Sequence, residues 1–197
     1  MQNTIQSILA AEAAAIQNIP LDNPFEPAVQ CFLEAARAGG KVVVSGVGKA
    51  GGVGAKIATT LCSVGVPSIF LHPLEAQHGD LGVLGVHDCL LLISNSGKTR
   101  EVVELVHLAR KLHQEVRIIT ITGKRGSELA ACSDLVLWTG GPPEVCPLGL
   151  APTTSTTVMS VIGDVLTVLA VQIGGFTHND YALRHHGGYL GTVAKLG

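Results

Sequence analysis

Three small hydroxyl side chains, Ser94, Ser96 and Thr99, crowd around Gly97 in the stretch CLLLISNSGKTRE (89–101), with Asn95 between the serines. The apolar run ahead of them predicts a strand buried on both faces, as in a parallel sheet. Behind them, the spacing of Val102, Val103, Leu105, Val106 and Leu108 predicts an amphipathic helix. The hydroxyls therefore fall where a strand hands over to a helix N-terminus, whose free backbone N–H groups and dipole favour an anion. One serine before a helix is ordinarily a cap. Three hydroxyls around a glycine that lets the backbone approach a ligand suit a phosphate or a similar oxyanion.

A second glycine-rich turn, GVGKAG (46–51), matches the G-x-G-x-x-G pattern between a strand and a helix. The acidic residue that a dinucleotide site wants after the next strand is missing, and His72 stands there. A tight turn alone would explain the glycines. Lys49, however, sits at a helix N-terminus where the dipole disfavours a cation, which points to a neighbouring anion. Ser45, Gly46 and Gly48 join Lys49 as candidate ligand contacts. In HPLEAQHGD (72–80), His72, His78 and Asp80 lack the spacing of a metal site, so His78 reads equally as a substrate contact or as a possible metal ligand. The stretch EVCPLGLAPTTSTT (144–157) ends in five hydroxyl residues ahead of a long apolar run. Thr153 and Ser155 either cap that helix or line the site. Glu101 and Glu144 are the carboxylates placed for acid–base work, although Glu101 also fits a first-turn helix acid. The pair His185-His186 is ambiguous by itself.

These groups need a scaffold. Short strands are predicted at 41–45, 67–71, 89–94, 116–121 and 134–138, alternating with helices, and two further helices at 3–17 and 25–38 come first. That rhythm predicts an α/β fold: a three-layer α-β-α sandwich with a five-stranded, doubly wound, flavodoxin-like parallel sheet. Ligands then bind beyond the carboxyl ends of the strands, where the polar and glycine residues cluster. The chain reads as one domain over 1–197, with helices 1–40 packed on the core.

Composition narrows the classes. Charged residues make up 14% of the chain, well under the usual quarter, so much surface is expected to be hidden in a homo-oligomer. A net charge of −2 and 4% aromatic residues argue against a nucleic-acid partner. The five scattered cysteines suit a reducing cytoplasm, with Cys31, Cys62 and Cys89 read as small buried hydrophobes. The opening residues predict no signal peptide. Residues 154–175 approach membrane-spanning length, but Asp164 in their middle favours a buried helix, so no membrane partner is expected.

The motifs SGVGKAGGVGAKIA (45–58), HPLEAQHGDLG (72–82), ISNSGKTREV (93–102), EVCPLGLAPTTSTT (144–157) and GFTHNDYALRHHGGYLG (175–191) carry a family resemblance. In this order they resemble the sugar isomerase (SIS) domain, and within it the bacterial arabinose-5-phosphate isomerases of the KpsF/GutQ type. The resemblance implies interconversion of D-ribulose 5-phosphate and D-arabinose 5-phosphate, the first step toward the Kdo of lipopolysaccharide. It implies a homotetramer with active sites shared between subunits, and no cofactor. Matched residue by residue, it implies a functional set of Lys49, His78, Glu101, Glu144 and His185, with Ser94, Ser96 and Thr99 as the phosphate loop. Lys98 departs from the Glu usual in the subfamily, and Ala50 from a frequent Ser. The CBS pair usual in the family is not expected here, which leaves feedback by CMP-Kdo as an alternative control. The rival readings are an isomerase of hexulose or heptose phosphates and a non-catalytic sugar-phosphate sensor. The helices ahead of residue 41 lack the basic character of a DNA-binding unit.

Overall fold

The structure, a computed structural model, describes residues 1–186 together with Tyr189 and Val193. Five parallel strands form one sheet: β1 (Val42–Gly46), β2 (Ser68–Phe70), β3 (Cys89–Ile93), β4 (Arg117–Thr122) and β5 (Leu135–Trp138), in the order β2-β1-β3-β4-β5. Between and around them run α1 (Gln2–Gln17), α2 (Phe25–Arg37), α3 (Gly48–Ser63), α4 (Pro73–Gln77), α5 (Arg100–Leu112), α6 (Glu128–Ala131), α7 (Thr154–Gly174) and α8 (His178–Arg184). The doubly wound α/β architecture expected from the sequence is the one observed.

Strand alternation divides the core in two. Val42, Val44, Leu91, Ile93, Ile119 and Ile121 face α1, α2, α3 and α7, while Val43, Leu90, Leu92 and Ile118 face α4, α5 and α6. Both faces are covered, which is why β1 and β3 are buried at every position. The apolar run 154–174 is α7. Among the described residues it is the helix long and apolar enough to cross a membrane, yet one face of it (Val158, Met159, Ile162, Leu166, Ala170) lies in the core.

Register levels the rim. Gly46 pairs with Ile93, and Ile93 with Ile121, so the loops after β1, β3 and β4 leave the sheet at one height. Because β1 lies between β2 and β3, the chain turns in opposite directions from β1 and β3, and a crevice opens between their carboxyl ends. Gly51 of the second motif lies inside α3 and serves packing: a Cβ there would stand 2.7 Å from the Gly46 carbonyl oxygen. At the opposite rim Asp88, 5% exposed, accepts from the Lys41 amide (2.9 Å), the Lys41 ammonium (2.6 Å) and the Gly85 amide (2.7 Å).

Local chemistry adds elements that periodicity did not predict. The 72–80 segment contains α4, with Pro73 at its first position and His72 Nδ1 accepting from the Leu74 amide at 3.3 Å. His72 is thus a cap. The helix α8 starts at a capping box between Thr177 and Asp180. Cys62, expected to be buried, is exposed at the end of α3, where its sulfur contacts the Ser68 carbonyl and amide. Residues 187, 188, 190 and 191 of the last motif lie outside the described residues.

Candidate active site

The crevice holds a cleft of about 590 Å³ that gathers Lys49, Ser94, Asn95, Ser96, Thr99, Glu144 and Ser155, with Lys124 on its edge. One side of it is the loop from β3 to α5. Ser94 Oγ lies 2.8 Å from Thr99 Oγ1 and accepts from the Gly97 amide at 3.1 Å, and Ser96 Oγ accepts from the Lys98 amide at 3.2 Å. Gly97 has φ +60° and its carbonyl accepts from the Leu129 amide at 3.0 Å, which ties the loop to α6. No side chain caps α5 or α3, whereas His72, Ser127 and Thr177 cap α4, α6 and α8. Of the helices that begin at the crevice, α3 and α5 thus keep N-terminal donors for a ligand.

Glu144 forms the opposite side, pinned at the start of α7. Its Oε2 accepts from the Thr153 amide (2.7 Å), the Thr153 hydroxyl (3.0 Å) and the Ser155 amide (3.2 Å). Partial burial works to raise the carboxyl, but the hydrogen bonds from Ser155 and Thr153 outweigh it and hold Glu144 below the ordinary glutamate value. The hydroxyl run therefore does serve α7, through a carboxylate nine residues upstream. The neighbouring thiol, Cys146, is held below its ordinary value by the backbone amides of Ala151 and Leu148. The sequence offered no sign of that nest.

Other expected residues stand apart. Ser45 is fully buried and donates to the Leu71 carbonyl at 2.6 Å, so its hydroxyl ties β1 to the end of β2 and does not face the cleft. Gly46 packs against the Ile93 carbonyl, and Gly48, at φ +61°, opens α3. Thr153 acts through Glu144. Glu101 is a half-buried first-turn residue of α5 outside the cleft lining. His78 is exposed after α4, and His185 stacks on Tyr181 (ring centroids 3.8 Å apart) in a different hollow, beside Phe70 of β2. One chain does not bring either histidine into the cleft lining. Among the described residues no group of three or more His, Cys, Asp or Glu side chains is placed to hold a metal ion.

A doubly wound sheet with hydroxyl-lined helix N-termini, a lysine and a carboxylate at its switch point defines an α/β domain of the anion-binding class. The SIS domain model matches residues 36–169, and the chain belongs to that family. It is 49% identical over 157 residues to the arabinose 5-phosphate isomerase KdsD of Escherichia coli K12, covering 80% of this chain and 47% of that protein. The KdsD of Pseudomonas aeruginosa is 48% identical over 152 residues, covering 77% and 46%. The chain thus spans about half the length of these curated relatives. Among solved structures, a phosphosugar isomerase candidate involved in capsule formation in Bacteroides fragilis is 56% identical, with TM-score 0.94, over 96% of this chain and 99% of that one. An E. coli CFT073 protein in complex with arabinose 5-phosphate is 35% identical, with TM-score 0.84, over 92% and 95%.

Proposed function

We infer that the cleft binds a sugar phosphate and interconverts D-arabinose 5-phosphate and D-ribulose 5-phosphate through an enediol. The observation that carries this reading is the convergence of the 94–99 hydroxyl loop, Lys49 and Glu144 on one cleft at the β1/β3 crevice. The names of the relatives and the arabinose 5-phosphate complex of the E. coli neighbour support it.

In this reading Ser94, Ser96, Thr99 and the first amides of α5 hold the phosphate, while Asn95 and Ser155 contact the sugar. Phosphate binding energy orients the reacting carbons against the opposite side of the cleft. Isomerisation takes the proton from C2 of the aldose, passes through the enediol and returns a proton to C1, while the hydroxyl proton moves from O2 to O1. No redox cofactor is needed. Glu144, whose Oε2 is held by Thr153 and the Ser155 amide, is the base. A carboxylate held below its ordinary pKa is fully charged at neutral pH but weakly basic, so the C–H bond must itself be acidified. Lys49 does this by stabilising the charge that develops on the carbonyl oxygen.

Glu101, His78 and His185 remain in the functional set as assisting groups. The two histidines can act only in an assembly that sets a second copy against the cleft, consistent with a homotetramer. The reading extends to a cytoplasmic enzyme at the entry to Kdo and lipopolysaccharide synthesis, with CMP-Kdo as a feedback ligand. A calorimetric titration without heat at millimolar CMP-Kdo removes that last element. The reaction itself is tested by incubating the protein with D-arabinose 5-phosphate in D₂O and following the C2 proton by NMR. Conversion with deuterium incorporation is expected. Binding without turnover sinks the isomerase reading for this sugar and directs the test to hexulose and heptose phosphates, then to the sensor.

A further inference from the structure

We propose that Glu12 of α1 is a positioning residue for Glu144, acting through the hydroxyl of Thr154. The inference rests on the assignment of Glu144 to the reaction.

Glu12 is a carboxylate on the helix farthest in sequence from the cleft. Its Oε1 accepts from Thr154 Oγ1 at 2.9 Å across 142 residues of chain, and Thr154 Oγ1 in turn accepts from the Val145 amide at 3.1 Å. Thr154 is 1% exposed. Its single hydroxyl proton is committed to Glu12, so its lone pairs face the Val145 amide, and the residue next to Glu144 is fixed to the first turn of α7. The other oxygen, Glu12 Oε2, is buried and has no hydrogen-bond partner among the described residues. An unpartnered carboxylate oxygen costs stability, so packing alone does not explain an acid here.

Packing also does little to hold the segment that Glu12 secures. Behind it lies a hollow of about 720 Å³, lined by Ile8, Ala11 and Ala14 of α1 on one side and by Pro142, Pro143 and Val145 on the other. Residues 141–144 thus form a wall with space on both sides, since the cleft opens against the same residues. A wall without a packed backing keeps its position through hydrogen bonds, and the chain Val145–Thr154–Glu12 supplies them from α1. Glu144 is bonded to Thr153 and Ser155 directly, and the Glu12 chain fixes the backbone that carries it.

The test compares Glu12→Ala, Glu12→Gln, Thr154→Val and the double variant Glu12→Ala/Thr154→Val in the full chain, measuring kcat, KM for arabinose 5-phosphate and amide hydrogen exchange at Val145. Glu12→Ala is expected to lower kcat by roughly 10- to 100-fold, the scale of a misplaced catalytic group, with KM little changed. Glu12→Gln keeps an acceptor for Thr154 and stays within about threefold of the parent. Thr154→Val matches Glu12→Ala, and the double variant falls no further, because both remove one connection. Val145 exchanges faster in every variant except Glu12→Gln. Unchanged kcat in Glu12→Ala, or equal losses in the Ala and Gln variants, overturns the proposal. Turnover retained in Glu144→Gln would instead overturn the site assignment, and unaltered Val145 exchange in Glu12→Ala would refute the connection whatever the reaction proves to be.

Discussion

Replacing Gly97 by alanine tests the loop proposed to hold the phosphate. At φ +60° an L residue is strained by about 1–2 kcal/mol. The new Cβ would also stand 2.0 Å from Ser127 Oγ and 2.4 Å from Ser127 Cβ, so Ser127 must move. Ser127 caps α6 by accepting from the Ala130 amide at 3.3 Å, and losing a serine cap costs about 1 kcal/mol more. The sum is about 2–3 kcal/mol before any cost of the displacement itself, a large share of the stability of an ordinary domain. Urea unfolding of Gly97→Ala should show a lower midpoint at unchanged m-value, with calorimetry reporting weaker binding of arabinose 5-phosphate. The double variant Gly97→Ala/Ser127→Gly removes the collision but keeps the strain and the lost cap, so it should unfold no earlier than Gly97→Ala and still earlier than the parent. A Gly97→Ala protein with the parent's midpoint and affinity would refute this account of the loop.

Glu144→Gln should abolish measurable deuterium exchange at C2 while leaving arabinose 5-phosphate bound, as read by NMR and calorimetry. Because hydrogen bonds hold Glu144 below its ordinary value, the charged form persists to lower pH than for a free glutamate; Thr153→Val removes one donor and should move the acid limb of the kcat profile upward. Cys146, lowered by backbone amides, should be alkylated by iodoacetamide ahead of Cys31 and Cys89, whose thiols are raised by burial; peptide mapping after a short exposure at neutral pH checks the order. Asp88→Asn replaces one acceptor oxygen by an NH₂ donor facing the Lys41 and Gly85 donors in a buried site, and should cost roughly 2–4 kcal/mol in urea unfolding without altering kcat.

The scaffold was legible because its signals are local. The unbroken apolar run of β3 and the helical spacing after it announce a strand buried on both faces and an amphipathic helix, and five such alternations leave few folds. The hydroxyl loop at the strand-to-helix turn was legible for the same reason, since Ser94, Ser96, Thr99 and Gly97 are neighbours in the chain. What was not legible depends on distance. Nothing around Ser45 says that its hydroxyl is taken up by Leu71, and nothing around Glu144 says that it finishes a helix nine residues on. Glu12 looks like a solvated acid in an alanine-rich helix until the fold sets it beside Thr154. The short helix α4 went unseen because five residues show no period; only Pro73 preceded by a capping histidine marks it. The threonine and aspartate of the α8 box carry a comparable signal, with Asp in place of the usual Glu.

The proposed phosphate grip of residues 94–99 combines main-chain amides and hydroxyls with the Asn95 side chain, while Lys98 within it is exposed and its backbone amide donates to Ser96 in the turn. On the proposed reading its hydroxyls and amides answer to a compact double charge, and Asn95 is the one side chain of the loop that reaches the sugar. Discrimination among sugars then falls mainly to the facing segment, 141–156, which is joined to the rest of the molecule at the end of β5 and the start of α7. The two tasks fall largely on separate stretches of chain, so one can be varied while the other is kept: grafting a different 145–152 segment, with Glu144 and Thr153 retained, is the direct way to retarget this domain to another phosphorylated sugar.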